Sequence, residues 1–205
     1  ELAGKFTCVL FCPDDLNLIK EGPAARRRLM DVAITQLRPG YGKLVTDYNR
    51  LYDQKAAILR DWREKPSLLK PLDDFSDQMC KVSAQMIRYR AAFTQRLAVE
   101  ATRIHGEFSG GRDTLALKYC TVSTVKDPTA PALEIYYELC EHQEAHRKAE
   151  LDSGQCLTGC HKDDIDIFIN EKPARSFASQ GQTRTAALSL KLAEREIHLQ
   201  EFGEY

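Results

Sequence analysis

The chain has 205 residues, of which 43% are hydrophobic and 29% are charged, and its formal net charge is −1 at pH 7. This composition is typical of a globular protein and excludes a fibre, a generally disordered chain and a uniformly basic nucleic-acid binder. Seven irregularly spaced cysteines do not suit a disulfide framework and no apolar run approaches the length of a membrane span, so the sequence predicts a cytoplasmic protein with no membrane partner.

Strands are predicted at three places, with a weaker fourth candidate. Residues 6–12 form an apolar run that Pro13 stops, which predicts a buried strand. Apolar residues alternate over 114–122 and 164–169, as in strands with one buried face, and 175–177 is the weaker candidate. Because strands need neighbours to pair with, so few of them predict an incomplete sheet.

Helices are predicted for most of the remaining chain. Apolar residues at steps of three and four predict helices over about 23–38, 41–63, 73–106, 132–152 and 182–202. The two long helices on either side of a proline-containing linker predict an antiparallel hairpin or a short coiled-coil arm. The last helix has apolar residues on two opposite faces and is therefore expected to lie between layers.

Three consecutive arginines in the first helix differ in position. A step of 100° per residue places Arg26 in the apolar stripe, Arg27 at its edge and Arg28 on the solvent side. The guanidinium of Arg26 needs a carboxylate, backbone carbonyls or a ligand phosphate, unless its side chain reaches past the first turn into water. Basic residues also predominate in 81–112, where they either follow a nucleic-acid backbone or form a solvated face.

Two glycine-containing turns adjoin helices in opposite ways. Ser179-Gln180-Gly181-Gln182 opens the last helix, where unpaired N–H groups and the positive end of the helix dipole can bind a phosphate. Gly181 lacks the Cβ that would keep an anion away, although an ordinary helix cap is the other interpretation. Ser109-Gly110-Gly111 instead ends a helix, because a strand pattern follows it, and a C-terminal cap is a sufficient explanation.

Two groups of potential metal ligands are present, but neither predicts a metal site. His142 and His146 have helical spacing without a third ligand or the general-base Glu of the zincin pattern. Cys156 and Cys160 would need two further ligands, for which Cys8 and Cys12 are the nearest candidates. We therefore assign no metal to this chain, and the cysteines are otherwise explained as incidental residues of a loop.

Several stretches together resemble one family. In order and approximate spacing they are similar to the RecF family of bacterial recombination mediators, which are ATPases of the ABC/SMC type. The stretches are Val9 to Leu16, Gly22-Pro23 with Arg26 to Arg28 and Asp31, Gly159 to Asp164, and Ala178 to Leu188. The last one resembles the ABC signature motif, with Ser179 and Gly181 in the places of its serine and second glycine. Cys160 and Lys162 depart from the family, which usually has proline and arginine there.

The resemblance implies a fold and a division of the chain. The expected fold class is α+β and mostly helical, with an antiparallel helical hairpin (the lid arm) joined to part of a split ABC-type α/β ATPase head. The expected segments are 1–22 for part of the head, 23–152 for the lid and 153–205 for the return to the head. No GxxxxGK[ST] P-loop occurs in the sequence. By resemblance the P-loop and the Walker B acids lie outside this stretch, so we expect an internal fragment that binds no cofactor and hydrolyses no ATP alone.

The resemblance also implies a function. The signature turn of one subunit would contact ATP held with Mg²⁺ by the other, so that ATP joins two identical subunits. The family binds DNA at single-strand/double-strand junctions and acts with RecR, RecO and RecA in DNA replication, recombinational gap repair and the SOS response. The expected ATP contacts are Ser179, Gln180, Gly181, Gln182 and Arg184, and the candidate DNA contacts are Arg26, Arg27, Arg88 and Arg90. The alternative is a stand-alone helical module that binds a protein or DNA without nucleotide.

Overall fold

A computed structural model describes residues 7–203 and divides the chain into two compact units. One unit contains the described chain through Pro39, the stretch Arg90–Cys120, and the chain from Asp164 onward. The other contains Gly40–Tyr89 and Thr121–Asp163. Residues 23–39 and 90–120, which were expected to belong to the lid, lie in the same unit as the segments expected for the head. The two compact units therefore differ from the predicted domains, and the domain assignment stays a prediction.

Helices make up most of the described residues, as the sequence predicts. The helices are α1 Asn17–Lys20, α2 Pro23–Leu37, α3 Pro39–Asp61, α4 Leu72–Ser109, α5 Ala132–Ser153, α6 Ala174–Phe177 and α7 Gln180–Phe202. The strands are β1 Leu115–Cys120, β2 Asp164–Ile169 and β3 Lys172–Pro173, and short 3₁₀ turns cover Pro13–Leu16, Pro66–Leu69 and Cys160–Lys162. Each of the five predicted helices is present, with ends within three residues of the expected ones.

The first unit contains a small antiparallel sheet in the order β1-β2-β3. Leu115 of β1 lies opposite Ile169 of β2, and Leu117 opposite Ile167. The isoleucines at 165, 167 and 169 face the core, which confirms the predicted period of two. Asn170 and Glu171 have φ values of 50° and 63° and form the tight turn between β2 and β3.

The predicted strand at 6–12 is wrong over its described part. Residues 7–12 have no regular structure, and Leu10 is 71% exposed; Phe6 lies outside the described residues. None of the three described strands pairs with this segment, so its apolar run has no sheet in which to be buried. The candidate strand at 175–177 is also wrong, because these residues belong to α6.

Helix α7 packs on more than one side within the first unit. Ala186, Leu190 and Ala193 on one face are fully buried. Leu188 and Leu192 on the opposite face are half-buried rather than solvated. The turn that opens this helix is therefore attached to an element that packing holds on two faces.

The second unit is built from α3, the first half of α4, and α5. Tyr41 near the start of α3 contacts Tyr89 of α4 with ring centroids 5.4 Å apart, whereas Ile58 near the end of α3 packs with Leu72 at the start of α4. The two helices therefore run antiparallel, which confirms the predicted hairpin.

Helix α5 adds a third helix to this hairpin. Its Tyr136 hydroxyl donates to Asp77 of α4 at 2.6 Å, and Arg147, further along α5, pairs with Asp73. A position later in α5 thus matches an earlier one in α4, so these two helices are also antiparallel. No helix among residues 7–203 has a stretch that is both apolar enough and long enough to cross a membrane.

Candidate functional site

The turn before α7 is held by a reciprocal cap. Ser179 has an extended backbone, and its Oγ accepts a hydrogen bond from the N–H of Gln182 at 3.2 Å. In return, the side-chain Oε1 of Gln182 accepts from the N–H of Ser179 at 3.0 Å. This is a capping box, in which each residue satisfies a backbone donor of the other. The turn therefore forms the helix cap that the sequence indicates.

The turn keeps several donors that the cap does not use. The N–H of Thr183 is taken by the carbonyl of Ser179 at 2.9 Å, and that of Gln182 by Ser179 Oγ. Within residues 7–203 the N–H groups of Gln180 and Gly181 have no hydrogen-bond partner, as expected for the first turn of a helix. The Ser179 hydroxyl also retains its own proton, because its Oγ only accepts in the cap. Three exposed donors therefore lie at the positive end of the α7 dipole.

Protein packing does not require a glycine at position 181. A Cβ built on Gly181 would approach only Ser179 Oγ, at an ordinary distance of 3.9 Å, and the residue is exposed in the first turn of α7. Glycine in a helix is less favourable than alanine by about 1 kcal/mol. A glycine that destabilises the helix and avoids no steric clash within the protein is consistent with a ligand that approaches the backbone closely from outside.

The turn forms one wall of an open groove of about 560 Å³. The end of α4 and the residues that follow it form the other wall. The residues lining the groove are Phe108, Ser109, Arg112, Asp113, Ser179, Gly181, Gln182 and Thr185. Sequence reasoning explained Ser109 to Gly111 as a helix end, and the φ values of 61° and 75° at Gly110 and Gly111 agree with a C-terminal cap. It missed that this helix end lies against the signature-like turn.

Arg112 and Asp113 are groove residues that sequence reasoning did not single out. Arg112 is exposed and donates through Nε to the carbonyl of Ser109 at 2.9 Å. Oδ1 of Asp113 accepts from Gln182 Nε2 at 3.2 Å and from Asn170 Nδ2 at 2.7 Å. The local sequence pattern does not indicate the two contacts of Asp113, because they join residues 69 and 57 positions apart.

Arg184, a predicted ATP contact, does not line this groove. It is exposed and lines an adjoining, mainly apolar cavity of about 510 Å³ together with Phe11, Leu188 and Phe108, the last of which also lines the groove. No carboxylate pairs with Arg184 among the described residues. The expected contact of Arg184 with ATP stays a prediction.

The four candidate DNA-binding arginines fall into two classes. Arg26 is 5% exposed and Arg90 is 3% exposed, and they pair with Asp164 and Asp31 respectively. Breaking either ion pair to reach a phosphate would leave a carboxylate unpaired, so these two arginines are the less favoured part of the predicted DNA contacts, which stay a prediction.

Arg27 and Arg88 differ from the buried pair. Arg27 is half-buried and Arg88 is exposed. Their side chains are accessible, so a role for either one in binding DNA remains a prediction.

In the family-like stretch from Gly159 to Asp164, residues 159–163 belong to the second unit, where Gly159, Cys160 and Asp163 are buried. His161 Nε2 lies 3.0 Å from the carbonyl of Cys156, which can only accept, so Nε2 carries the proton. Nδ1 of His161 then accepts from the Tyr48 hydroxyl at 2.7 Å. Burial raises the pKa of Tyr48 well above its usual value, so the phenol stays protonated and keeps this bond. The loop has a structural arrangement rather than an open site.

Neither group of potential metal ligands forms a site in the part of the chain that the structure describes. No cluster of three or more His, Cys, Asp or Glu side chains suited to a metal occurs between residues 7 and 203. The His142 ring stacks on His146 at 3.9 Å, and its Nδ1 is hydrogen-bonded to Thr158 Oγ1 at 2.8 Å. Cys156 and Cys160 are buried, whereas Cys8 is exposed.

Comparison with known proteins gives one consistent result. No protein-family model matches the chain. The chain is 36% identical over 200 residues to the DNA replication and repair protein RecF of Desulforamulus reducens and 35% identical over 209 residues to that of Bacillus subtilis. These matches cover 98% and 100% of the chain, but only 54% and 55% of the relatives.

Solved structures agree with the sequence comparison. A structure described as the recombination mediator protein RecF-ATPrS in the RecFOR pathway superimposes with a TM-score of 0.92 at 30% identity, over 99% of this chain and 54% of that one. A second, described as RecF-ATP, gives a TM-score of 0.91 at 30% identity. The chain therefore spans about half the length of the relatives that it matches.

Proposed function

Because the chain belongs to the RecF family and spans about half of a member's length, we propose that it supplies the trans half of an ATP site in a DNA replication and repair protein. The turn at Ser179 to Gln182 would donate hydrogen bonds to the γ-phosphate of ATP that a second, identical subunit holds. ATP would thereby join the two subunits, and hydrolysis would release them.

The observation that carries this proposal is the set of unused donors at the turn. The Ser179 hydroxyl and the N–H groups of Gln180 and Gly181 are exposed beside an open groove, at the positive end of a 23-residue helix. Backbone N–H groups at a helix N-terminus, together with a hydroxyl, are suited to a phosphate. The glycine at 181 has no protein neighbour that requires it, which suits an incoming anion.

The chemistry assigned to the two subunits differs. The chain contains no P-loop sequence, so the residues that bind the rest of ATP and its Mg²⁺ would come from elsewhere in the full-length protein. This chain's own residues would orient hydrogen-bond donors toward the phosphate and exclude water from the interface between the two subunits. Gln182 would lie at the rim, where its side chain is already fixed by Ser179 and Asp113.

The DNA partner and the pathway are part of the proposal. Relatives are named for DNA replication and repair, and the solved relatives are assigned to the RecFOR pathway. We infer a cytoplasmic protein that acts on gapped DNA with RecR, RecO and RecA. Arg27 and Arg88 are the accessible arginines of the original candidate set, and either one can contact a phosphate.

The test is Ser179→Arg in a full-length protein that carries this chain. Because the larger side chain fills the space for the phosphate, ATP-dependent dimerisation is expected to be lost in light scattering, whereas ATP still binds to the monomer. Ser153→Arg, at an exposed serine near the end of α5, is the matched control and should dimerise normally. Unchanged dimerisation of Ser179→Arg would refute the assignment. The 205-residue chain alone should not turn over Mg-ATP.

A further inference from the structure

We propose that Asp113 is a positioning residue for the nucleotide-contacting turn, and that it acts by fixing the side-chain amide of Gln182. This inference rests on the proposed function of that turn. Asp113 follows the end of α4 and lies far from the turn in sequence, yet its Oδ1 is 3.2 Å from Gln182 Nε2. It would not touch the nucleotide itself and would act through the geometry of Ser179.

The carboxylate decides which way the amide of Gln182 points. An ionised carboxylate only accepts hydrogen bonds, so it selects the NH₂ group of Gln182 and turns the Oε1 atom the other way. Oε1 is then directed at the N–H of Ser179, from which it accepts at 3.0 Å. A reversed amide would place its oxygen against the carboxylate and an NH₂ group against an N–H, so both contacts would be repulsive.

The orientation of Gln182 is coupled to the hydroxyl of Ser179. With Oε1 bonded to the Ser179 N–H and the Gln182 N–H bonded to Ser179 Oγ, the serine side chain is held in one position. One lone pair of Oγ is then occupied inside the turn, and the hydroxyl proton is left for an acceptor outside it. Loss of Asp113 would release this arrangement without removing any donor.

Asp113 is itself braced from two directions. Its backbone N–H donates to Ser109 Oγ at the end of α4, at 3.3 Å. Its Oδ1 accepts from Asn170 Nδ2 at 2.7 Å, and Asn170 is fixed in turn by three hydrogen bonds with Thr114. The turn between β2 and β3 and the start of α7 therefore meet at one carboxylate oxygen, and the end of α4 holds the backbone of the same residue. Such a fixed environment is what a positioning residue needs.

The test uses Asp113→Ala in a full-length protein that carries this chain. ATP-dependent dimerisation is expected to weaken about tenfold, because each of the two symmetric sites loses part of its helix cap. ATP binding to the monomer should not change. Asp53→Ala, at an exposed aspartate of α3, is the control and should match the unmodified protein.

A rescue experiment separates positioning from general destabilisation. Gln182→Glu alone places two carboxylates together and should impair dimerisation more than Asp113→Ala does. Asp113→Asn combined with Gln182→Glu and Asn170→Asp exchanges donors and acceptors at all three side chains, so that the NH₂ group of residue 113 donates to both neighbours and the other carboxylate oxygen of residue 182 accepts from the Ser179 N–H. This triple variant should recover most of the lost dimerisation. Failure to recover, with a folded protein by circular dichroism, would overturn the inference.

The outcome distinguishes this inference from the function on which it rests. If Ser179→Arg dimerises normally with ATP, the proposed function fails. If Ser179→Arg abolishes dimerisation but Asp113→Ala behaves like Asp53→Ala, the proposed function stands and the role of Asp113 is refuted.

Discussion

Arg26 of α2 and Asp164 at the start of β2 form a two-point ion pair across 138 positions of sequence. Nε donates to Oδ1 at 2.6 Å and Nη2 to Oδ2 at 2.9 Å. The remaining nitrogen, Nη1, donates to the carbonyls of Leu18 and Glu21 at 2.8 and 3.0 Å. A guanidinium on the buried face of a helix thus has its charge balanced and its donors used, which is the condition for burying it.

Removing the Arg26 charge is expected to destabilise the first unit. Arg26→Met preserves much of the side-chain volume but leaves Asp164 and two carbonyls without their donor, which should lower the free energy of unfolding by about 2–4 kcal/mol. Urea denaturation followed by circular dichroism measures this change. Arg28→Met, two positions along the same helix and exposed, should stay within about 0.5 kcal/mol of the unmodified protein. Equal effects of the two substitutions would contradict the role assigned to the pair.

The second unit depends on another buried pair, Lys55 of α3 and Glu150 of α5. Their side chains are 0% and 1% exposed, with Nζ 2.7 Å from Oε2. Gln143 bonds to both partners, and the N–H of Leu157 donates to Glu150 at 2.7 Å. The network therefore joins α3, α5 and the chain that follows α5.

We expect a strongly non-additive response at this pair. Lys55→Met leaves a buried carboxylate without its cation and should cost about 3–5 kcal/mol of stability. Adding Glu150→Gln removes the unpaired charge while keeping an acceptor for Leu157, so the double variant should be more stable than Lys55→Met alone. A double-mutant cycle by urea denaturation measures the coupling. Strictly additive effects would show that the two charges do not interact.

Gly159 is a position at which only glycine fits. Its φ is +129°, and a Cβ there would lie 2.5 Å from the Tyr48 hydroxyl oxygen. Gly159→Ala should therefore lower the free energy of unfolding by more than backbone strain alone would, which is about 1–3 kcal/mol. Gly110→Ala is the matched control, because its φ is +61° and nothing lies within 4 Å of its Cβ. In thermal or urea denaturation, Tyr48→Phe should relieve part of the effect of Gly159→Ala and none of that of Gly110→Ala.

Acidification is expected to weaken the second unit through His142. Burial, followed by the neighbouring His146, lowers the pKa of His142 below its usual value. The unfolded chain then binds a proton at His142 more readily than the folded chain does. Above about pH 6.5 the histidine is neutral in both states and costs no stability, whereas the free energy of unfolding falls as the pH drops below that value. His142→Gln should flatten the dependence of unfolding free energy on pH between 7 and 5.5. An unchanged slope would contradict this assignment.

The sequence predicted what depends on local pattern and missed what depends on tertiary packing. The helices, the hairpin and the β2 strand follow from periodicity, and the 100° step correctly indicated that Arg26 needs partners. It could not indicate Asp164 as the partner, because any of several carboxylates would satisfy the pattern. The apolar run at 7–12 was misread since pairing, rather than composition, decides whether a strand forms.

The candidate site shows the same division. The capping box at Ser179 and Gln182 is readable from four consecutive residues, and so is the helix end at Ser109 to Gly111. That the two turns line one groove is a property of how α4 and α7 pack in the first unit. Asp113 belongs to neither motif and becomes visible only through its bonds to Gln182 and Asn170.

The last prediction separates the role of Gly181 in the fold from its role in binding. Gly181 and Gly106 both lie in helices, and a Cβ built on either one meets no protein atom closer than 3.9 Å. Alanine should therefore stabilise the protein at either position, by about 0.5–1 kcal/mol, because it favours the helix more than glycine does. Thermal unfolding of Gly181→Ala and Gly106→Ala measures this gain.

The two variants should differ only when nucleotide is present. In a full-length protein that carries this chain, the Cβ of Gly181→Ala would stand where a phosphate approaches the N–H groups of α7, so ATP-dependent dimerisation should fall sharply. Gly106→Ala should dimerise normally, since residue 106 does not line the groove. A variant that gains stability and loses ATP-dependent association cannot have lost it through misfolding, so the glycine would be retained for the ligand. Normal dimerisation of Gly181→Ala in light scattering would show instead that the turn is only a helix cap.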